Sequence, residues 1–201
     1  MIGILDYGLG NIRAFENIYK LLGKKIKIIK NPKHFDYVDK LILPGVGAFD
    51  WALKKLDQSG LKDYLIKNVM DYKKPILGVC VGMQIMATHS EEGSEKGLNW
   101  IPGHVRKFKI TNTKLTPLPQ IGWNKVSMSD SLISRGLENS KFYFLHSYYF
   151  VPEDDRHIFS KTSYSVDFAS GVNHENIYGV QFHPEKSHDS GIKLLKNFSD
   201  L

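Results

Sequence analysis

Cysteine is almost absent from this sequence. Cys80 stands alone among 201 residues, so the chain cannot form an internal disulfide. A chain without disulfides is typical of a reducing compartment. No apolar run approaches the ~20 residues that a membrane-spanning helix needs, and the first residues lack the basic and apolar regions of a signal peptide. We therefore expect a cytoplasmic protein with no membrane partner.

Arginine is also scarce, although the formal net charge is +6. Of 27 basic residues only four are arginine, namely Arg13, Arg106, Arg135 and Arg156. Arginine offers the planar fork that suits phosphates and base edges better than lysine does. The lysines are spread along the chain, which is typical of a solvated surface rather than a binding patch. No nucleic-acid partner is expected.

The first half of the chain alternates strand and helix patterns. Short apolar runs predict strands at residues 2–6, 26–29, 41–43 and 76–79. Helical periodicity predicts helices at residues 11–22, 49–56, 61–70 and 83–87. This alternation is typical of a parallel sheet whose strands are joined by crossover helices.

After Gly93 the pattern changes to strands separated by turn residues. These strands are predicted at residues 103–110, 121–128, 141–150, 157–161, 167–172 and 177–182, before a last helix at 189–198. We predict a single α/β domain over residues 1–201, with a doubly wound, mostly parallel sheet and added antiparallel strands.

Cys80 lies in the pattern G-x-C-x-G at residues 78–82, where a predicted strand gives way to a helix. A nucleophile elbow needs this arrangement, because small neighbours allow the sharp turn that exposes the nucleophile. A lone cysteine is often a buried structural residue. The position between a strand and a helix favours the nucleophile.

His183 is the histidine best placed to act as a base. It follows an apolar strand, Pro184 ends that strand, and Glu185 lies two residues further on. A carboxylate at that spacing can orient and stabilise the imidazole, as in a catalytic triad. A surface His-Pro turn with an unrelated carboxylate is the competing interpretation, and the elbow at Cys80 favours the triad.

Residues 44–47 read Pro-Gly-Val-Gly between a predicted strand and a predicted helix. Glycines there allow backbone amides to turn toward a ligand, which an oxyanion site requires. A phosphate-binding loop is the competing interpretation. The segment lacks both the further glycine of a dinucleotide fingerprint and the Gly-Lys-Ser/Thr of a P-loop.

Three segments together resemble the class I, or triad-type, glutamine amidotransferases. They are residues 44–49 (PGVGAF), 78–84 (GVCVGMQ) and 179–187 (GVQFHPEKS). Within that family the sequence is most similar to the glutaminase subunits of imidazole glycerol phosphate synthase, through residues 6–11 (DYGLGN), 120–124 (QIGWN) and 142–149 (FYFLHSYY). The similarity extends from residue 6 to residue 198.

The resemblance implies a catalytic role for each matched residue. Cys80 would attack the side-chain amide of glutamine and form a γ-glutamyl thioester. His183 would move protons, and Glu185 would orient His183. The backbone amides of Val46 and Val81 would hold the oxyanion.

The resemblance also implies binding residues and a partner. Contacts with glutamine would come from Gly47, Gln84, His146, Ser147 and Tyr148. Residues facing the partner near the ammonia exit would be Asn11, Trp123 and Lys186. The partner would be a cyclase or synthase subunit, a (β/α)8 barrel, in a heterodimer with this chain. No cofactor and no metal are expected.

Gln120 departs from the family pattern, because these subunits often carry histidine there. The departure leaves the triad intact but leaves the acceptor pathway open between histidine biosynthesis and acetamidino-sugar synthesis for surface polysaccharide. A stand-alone γ-glutamyl cysteine hydrolase and a non-enzymatic scaffold are two further functions compatible with such a chain. Two features receive ordinary interpretations: Glu91 and Glu92 are expected in an exposed turn, and Trp123 is expected in the core or at the partner surface.

Overall fold

The structure describes residues 1–109 and 116–201 of a computed structural model, and these contain thirteen strands and five α-helices. Three short 3-10 helices and a π-helix at Lys67–Asp71 lie between them. The strands are β1 Ile2–Leu5, β2 Ile26–Ile29, β3 Lys40–Gly45, β4 Ile76–Cys80, β5 His89–Ser90, β6 Gly103–Lys107, β7 Gln120–Lys125, β8 Ser127–Met128, β9 Lys141–His146, β10 Tyr148–Pro152, β11 Ile158–Ser163, β12 Asp167–His174 and β13 Ile177–Val180. The α-helices are α1 Ile12–Leu21, α2 Phe49–Gln58, α3 Lys62–Ile66, α4 Val81–Gln84 and α5 His188–Ser199.

The parallel half of the main sheet brings the carboxyl ends of three strands together. Its strands lie in the order β2-β1-β3-β4-β13, and each neighbouring pair is parallel. The register pairs Gly45 with Cys80, and Val79 with Val180. The residues that follow β3, β4 and β13 therefore lie side by side at one edge, where open α/β sheets commonly bind ligands.

Beyond β13 the sheet becomes largely antiparallel. β12, β10 and β6 follow in antiparallel pairs, β5 is parallel to β6 at the edge, and β11 and β8 pair beside β12. The predicted α/β class, with a parallel sheet and added antiparallel strands, is confirmed. The strand predicted at residues 103–110 is observed as β6, and Ile110 lies outside the described residues.

Two predicted strands are each divided between two sheets, so the single strands predicted at residues 121–128 and 141–150 are wrong. β7 and β9 form a separate antiparallel pair, whereas β8 and β10 belong to the main sheet. The chain changes sheets at Val126 and Ser147. Phe144, His146 and Phe150 are all buried. The alternation of side chains along the sequence therefore continues across the change of sheet and does not reveal where it occurs.

The helix after Cys80 is one turn long and begins earlier than the predicted residues 83–87. Two glycines let α4 sit directly against β3. A Cβ on Gly82 would lie 2.0 Å from the Leu43 carbonyl oxygen, and one on Gly45 would lie 2.3 Å from the Gly82 nitrogen. Only glycine fits at these distances. The turn that carries Cys80 is therefore packed backbone to backbone against the strand that leads to Val46.

Aromatic side chains anchor the longer helices to the sheet. Phe15 and Tyr19 of α1, Phe49 of α2 and Phe198 of α5 are all fully buried. Burying a side chain of this size contributes roughly 1.5–3 kcal/mol relative to leaving it exposed. Within the described residues, no helix combines the length and the apolar character needed to cross a membrane.

Candidate active site

Cys80 ends β4 in a backbone conformation that residues other than glycine rarely adopt. Its φ is +56° and its ψ is −115°, and such conformations cost on the order of 1–3 kcal/mol. Gly78 and Gly82 leave no space for side chains, since a Cβ on Gly78 would lie 2.7 Å from the Gly82 carbonyl oxygen. The predicted strained turn between a strand and a helix is confirmed.

His183 follows β13, and its ring is hydrogen-bonded to Glu185 and close to Cys80. Its Nδ1 lies 2.9 Å from Oε1 of Glu185, and the two side chains are only 3% and 2% exposed. Burial lowers the pKa of His183. The hydrogen bonds and negative charges of Cys80 and Glu185 outweigh burial and raise the pKa to about 10. The structure therefore favours a protonated imidazole between the sulfur and a buried carboxylate.

Ser187 holds the turn that contains His183 rather than capping α5. Ser187 occupies the N-cap position of α5, but its side chain makes no capping hydrogen bond. Its hydroxyl instead donates to the His183 carbonyl at 2.6 Å and accepts from the Tyr143 amide at 3.0 Å. The Tyr143 carbonyl in turn accepts from the His183 amide at 2.9 Å. Strand β9 thus fixes the position of the imidazole.

A cleft of about 250 Å³ opens beside the sulfur. The predicted catalytic, oxyanion and binding residues that line it are Val46, Gly47, Cys80, Val81, Gln84, His146, Ser147, Tyr148 and His183. Glu185 lies behind His183. The structure therefore brings together residues from four separate parts of the sequence. Within the described residues, no group of three or more His, Cys, Asp or Glu side chains is arranged to hold a metal ion.

The candidate oxyanion amides belong to Val46, which follows β3, and Val81, which begins α4. Pro44 and Gly45 are the last residues of β3, and not a loop after it as predicted, because the parallel ladder continues to the pair Gly45–Cys80. Gly47 has φ +93°, which favours glycine. The turn toward the cleft is therefore confined to Val46 and Gly47.

His146 is buried at the side of the cleft and is neutral. Burial and, to a smaller extent, the charge of His183 lower its pKa to about 4, against the effect of a hydrogen bond with the Tyr148 carbonyl. Nδ1 donates to that carbonyl at 2.8 Å, so Nε2 is the acceptor in this tautomer. Among the described residues, Nε2 is buried without a hydrogen-bond partner. It offers an unused acceptor to a molecule in the cleft.

Glu92 is a site residue that the sequence did not reveal. It was expected in an exposed turn, but it lines the cleft, and its Oε2 accepts a hydrogen bond from the Phe49 amide at 2.8 Å. Burial raises its pKa, the Phe49 amide opposes the rise, and the charge of Asp50 adds to it. Ala48, at the N-cap of α2, supplies no side-chain hydrogen bond. The lack of a capping side chain at the start of α2 was the one sequence signal that pointed to Glu92, because it indicates that another segment must supply the cap.

Trp123 and Lys186 lie on one exposed surface, which we call the β7–β9 face. Trp123 is 44% exposed, its ring stacks on His188 at 5.1 Å, and Tyr143 meets its face edge-on. Lys186 places its Nζ 5.6 Å from the centre of the Tyr143 ring. Of the two positions expected for Trp123, the structure shows the surface.

Two apolar side chains extend the β7–β9 face to the cleft. Ile121 and Leu145 are paired in register and exposed by 61% and 38%, and Leu145 also lines the cleft. Asn11 caps the exposed start of α1, where its side chain accepts from the Ala14 amide. The mouth of the cleft is therefore bordered by apolar surface.

Known proteins are similar in sequence to this chain along nearly its whole length. The family model Glutamine amidotransferase class-I matches residues 4–200. Two curated relatives are named imidazole glycerol phosphate synthase subunit HisH: the one from Leptospira borgpetersenii is 50% identical over 204 residues, and the one from Bdellovibrio bacteriovorus is 46% identical over 204 residues. Each alignment covers 100% of both chains.

A solved structure described as a glutamine amidotransferase has a similar fold. Its TM-score is 0.75 at 18% identity, and the alignment covers 98% of each chain. At that identity the likeness concerns the fold alone. The match of the family model and the relatives aligned over their full length show that the protein belongs to the class I glutamine amidotransferase family.

Proposed function

We propose that the chain is a glutaminase, the ammonia-producing subunit of imidazole glycerol phosphate synthase in histidine biosynthesis. The observation that carries the proposal is that Cys80 lies at the wall of a cleft together with His183, which is hydrogen-bonded to Glu185. A nucleophile, a base and an orienting carboxylate are what acyl transfer from an amide requires. Residues 1–201 form one glutaminase domain in this proposal.

The first half of the reaction transfers the acyl group to sulfur. The Cys80 thiolate attacks the side-chain amide carbon of glutamine, and a C–S bond forms while the carbonyl oxygen becomes an oxyanion. The backbone amides of Val46 and Val81 stabilise that oxyanion. His183 gives its proton to the amide nitrogen, the C–N bond breaks, and ammonia leaves. The product on the enzyme is a γ-glutamyl thioester.

The second half returns the enzyme to its starting state. Water gives a proton to His183 as its oxygen attacks the thioester carbon. The C–S bond breaks, glutamate leaves, and the thiolate beside protonated His183 is regenerated. Glu185 stays hydrogen-bonded to Nδ1 and orients the ring so that Nε2 is directed at the sulfur. One glutamine and one water give one glutamate and one ammonia.

Charge and hydrogen bonding in the cleft suit the free amino acid. Glu92 is the carboxylate of the cleft that lies apart from the triad, and we assign it to the α-ammonium group of glutamine. The unpaired Nε2 of His146 accepts a hydrogen bond from the substrate. Gly47, Gln84, Ser147 and Tyr148 complete the contacts with glutamine.

Ammonia passes to a barrel-shaped cyclase subunit that covers the β7–β9 face. Exposed apolar residues that border a cleft are typical of an interaction surface. Ile121, Trp123 and Leu145 form its apolar part, and we assign the exposed Asn11 and Lys186 as polar contacts of the partner. We place this heterodimer in the cytoplasm, where a reducing environment keeps a free thiol such as that of Cys80 reduced.

Histidine biosynthesis is favoured over surface-sugar modification by the names of the full-length relatives. The unusual residue Gln120 does not argue against it. Its side chain is buried and donates to Asn124 Oδ1 at 2.8 Å, outside the cleft. The apolar β7–β9 face also favours a partner-dependent subunit over a stand-alone γ-glutamyl hydrolase.

The test measures glutamate release from glutamine by the chain alone and with a barrel cyclase subunit loaded with its nucleotide ligand. We expect strong stimulation by the loaded partner. Cys80→Ala should abolish synthesis driven by glutamine, while the complex should still use free ammonium. Glutamine-dependent turnover by Cys80→Ala would refute the mechanism. Basal activity that the cyclase fails to raise would retain the glutaminase and refute the histidine pathway.

A further inference from the structure

Gln181 lies beside Cys80 because of the register of two parallel strands. Val180 of β13 pairs with Val79 of β4. The residues that follow them, Gln181 and Cys80, therefore lie side by side at the ends of the two strands. The Gln181 side chain is completely buried, and its Nε2 lies 3.7 Å from the Cys80 sulfur. This distance is suitable for an N–H···S hydrogen bond, since sulfur is larger than oxygen.

The orientation of the Gln181 amide is determined by its neighbours. The Gln84 Nε2 lies 3.0 Å from the Tyr148 carbonyl oxygen, and a carbonyl can only accept. The same Gln84 nitrogen lies 2.9 Å from the Gln181 side chain, so Gln181 must present its oxygen there. The NH₂ group of Gln181 therefore faces the sulfur. In the reverse orientation the NH₂ groups of Gln181 and Gln84 would face each other, and the Gln181 oxygen would face the thiolate.

We infer that Gln181 is a catalytic residue, whose side-chain N–H donates a hydrogen bond to the Cys80 sulfur and stabilises it as the attacking and leaving thiolate. A thiolate accepts hydrogen bonds better than a thiol, so a fixed donor favours the charged form. The same donor assists breakage of the thioester, because the departing sulfur regains its negative charge. Gln84 acts through Gln181 as a positioning residue.

A backbone acceptor near the sulfur has the opposite effect. The Leu145 carbonyl oxygen lies 4.0 Å from the sulfur and can accept only from the thiol form. Titratable groups near the sulfur are His183 and Tyr7, while His146 and Glu92 line the same cleft. Gln181 has no charge, so its contribution does not change with pH. It shifts the balance between thiol and thiolate by a constant amount.

The experiment uses the single cysteine of the chain. Alkylation by iodoacetamide reports Cys80 alone, and its rate as a function of pH gives the midpoint of thiolate formation. Gln181→Met keeps the length of the side chain and removes the donor. Gln181→Glu keeps an oxygen for Gln84 and puts a negative charge in place of the donor. We expect Gln181→Met to raise the midpoint by about one pH unit, or roughly tenfold in rate below it, with the plateau rate unchanged. Gln181→Glu should raise the midpoint by at least as much, because its charge also opposes the thiolate.

Ser170→Ala is the matched control. Ser170 is fully buried, hydrogen-bonds Ser160 at 3.1 Å, and its carbonyl accepts from the Gln181 amide, but its side chain does not reach the sulfur. This variant should lose stability and keep the wild-type midpoint.

A third readout needs no variant: the side-chain amide resonances of Gln181 in the wild-type protein should move with the same midpoint as the alkylation rate.

The inference rests on the proposed function only in taking Cys80 as the nucleophile, and alkylation needs neither glutamine nor a partner. Variants at Gln181 with the wild-type midpoint would overturn it. Gln181 resonances that ignore the titration of Cys80 would also overturn it, even where both variants fail to fold. A wild-type chain without glutaminase activity but with shifted midpoints in the variants would refute the proposed function and support the role of Gln181.

Discussion

The hydroxyl of Tyr7 donates a hydrogen bond to the carbonyl of Pro44 at 2.7 Å, and both residues are buried. This bond joins the segment after β1 to the strand that leads to the oxyanion residue Val46. Burial, and then the negative charge of Cys80, raise the pKa of Tyr7. Tyr7 therefore stays protonated and remains a donor next to the catalytic sulfur.

Tyr7→Phe should lower turnover of glutamine because it frees the end of β3. Removing a whole oxyanion donor costs about 10²–10³ in kcat, and loosening the strand that carries one should cost roughly tenfold, with little change in KM. The unpaired Pro44 carbonyl should reduce the free energy of unfolding by about 1–3 kcal/mol. Steady-state glutaminase assays and urea unfolding measure the two effects.

Tyr19→Phe is the control for this change. Tyr19 is also fully buried, and its hydroxyl donates to the Leu195 carbonyl at 3.4 Å, between α1 and α5. Tyr19→Phe should reduce the free energy of unfolding without lowering kcat. Equal losses of kcat in the two variants would mean that Tyr7 contributes to the fold alone.

The raised pKa of His183 predicts how stability depends on pH. The folded-state value of about 10 lies above the ordinary 6.5, so the folded protein holds this proton more tightly than the unfolded chain. The resulting stabilisation is complete below pH 6.5 and is lost as the pH rises through about 10. Glu185→Gln removes one of the groups that raise the pKa of His183 and so removes part of this stabilisation. The advantage of the wild type over this variant in urea unfolding should shrink between pH 7 and pH 10.5, and a constant or growing advantage would contradict this assignment.

The catalytic elbow could be predicted from the sequence because its information is local. A strand, two glycines and a cysteine within a few residues define the backbone of the turn at Cys80, and the strand before His183 predicts where the imidazole emerges. The structure adds the register of β4 with β13, which brings these two segments together. Alternation of side chains could not reveal that register, nor the change of sheet at Ser147.

Glu92 could not be placed in the same way, because its position depends on a long-range contact. The turn that contains it resembles any exposed acidic turn, and its partner, the Phe49 amide, is 43 positions away. Gln181 was overlooked for a related reason: a glutamine beside the histidine motif has no function until the sheet places it against Cys80. Local patterns predict turns and nucleophiles, while the groups that bind substrate come from packing between segments.

His146 should remain neutral across the range in which most histidines titrate. Its pKa of about 4 lies below the ordinary 6.5, so the unfolded chain binds this proton more readily, and the protein loses stability as the pH falls from 6.5 toward 4. Imidazole ¹⁵N spectra from pH 8 to pH 5 should show His146 neutral with its proton on Nδ1, and His183 doubly protonated. A midpoint for His146 near 6.5 would show that the ring is not buried as described.

Glu92→Gln should weaken the binding of glutamine more than it slows the chemical step. The amide can still accept from the Phe49 backbone, so the turn should keep its shape, but the negative charge assigned to the substrate ammonium is lost. A hydrogen bond between charged groups contributes about 1.5–3 kcal/mol, so KM should rise by roughly 10-fold to 150-fold with a much smaller change in kcat. The raised pKa of Glu92 should make KM in the wild type increase at acid pH as the carboxyl is protonated.

The neighbouring carboxylate provides a matched control for this last change. Glu91 also accepts a backbone hydrogen bond, from the Lys107 amide at 2.8 Å, but it does not line the cleft. Glu91→Gln should leave both KM and kcat at their wild-type values. A KM that rises equally in both variants would point to a general effect of charge on this turn. A fall in kcat alone for Glu92→Gln would move Glu92 from substrate binding to the support of α2 and the adjoining oxyanion residues.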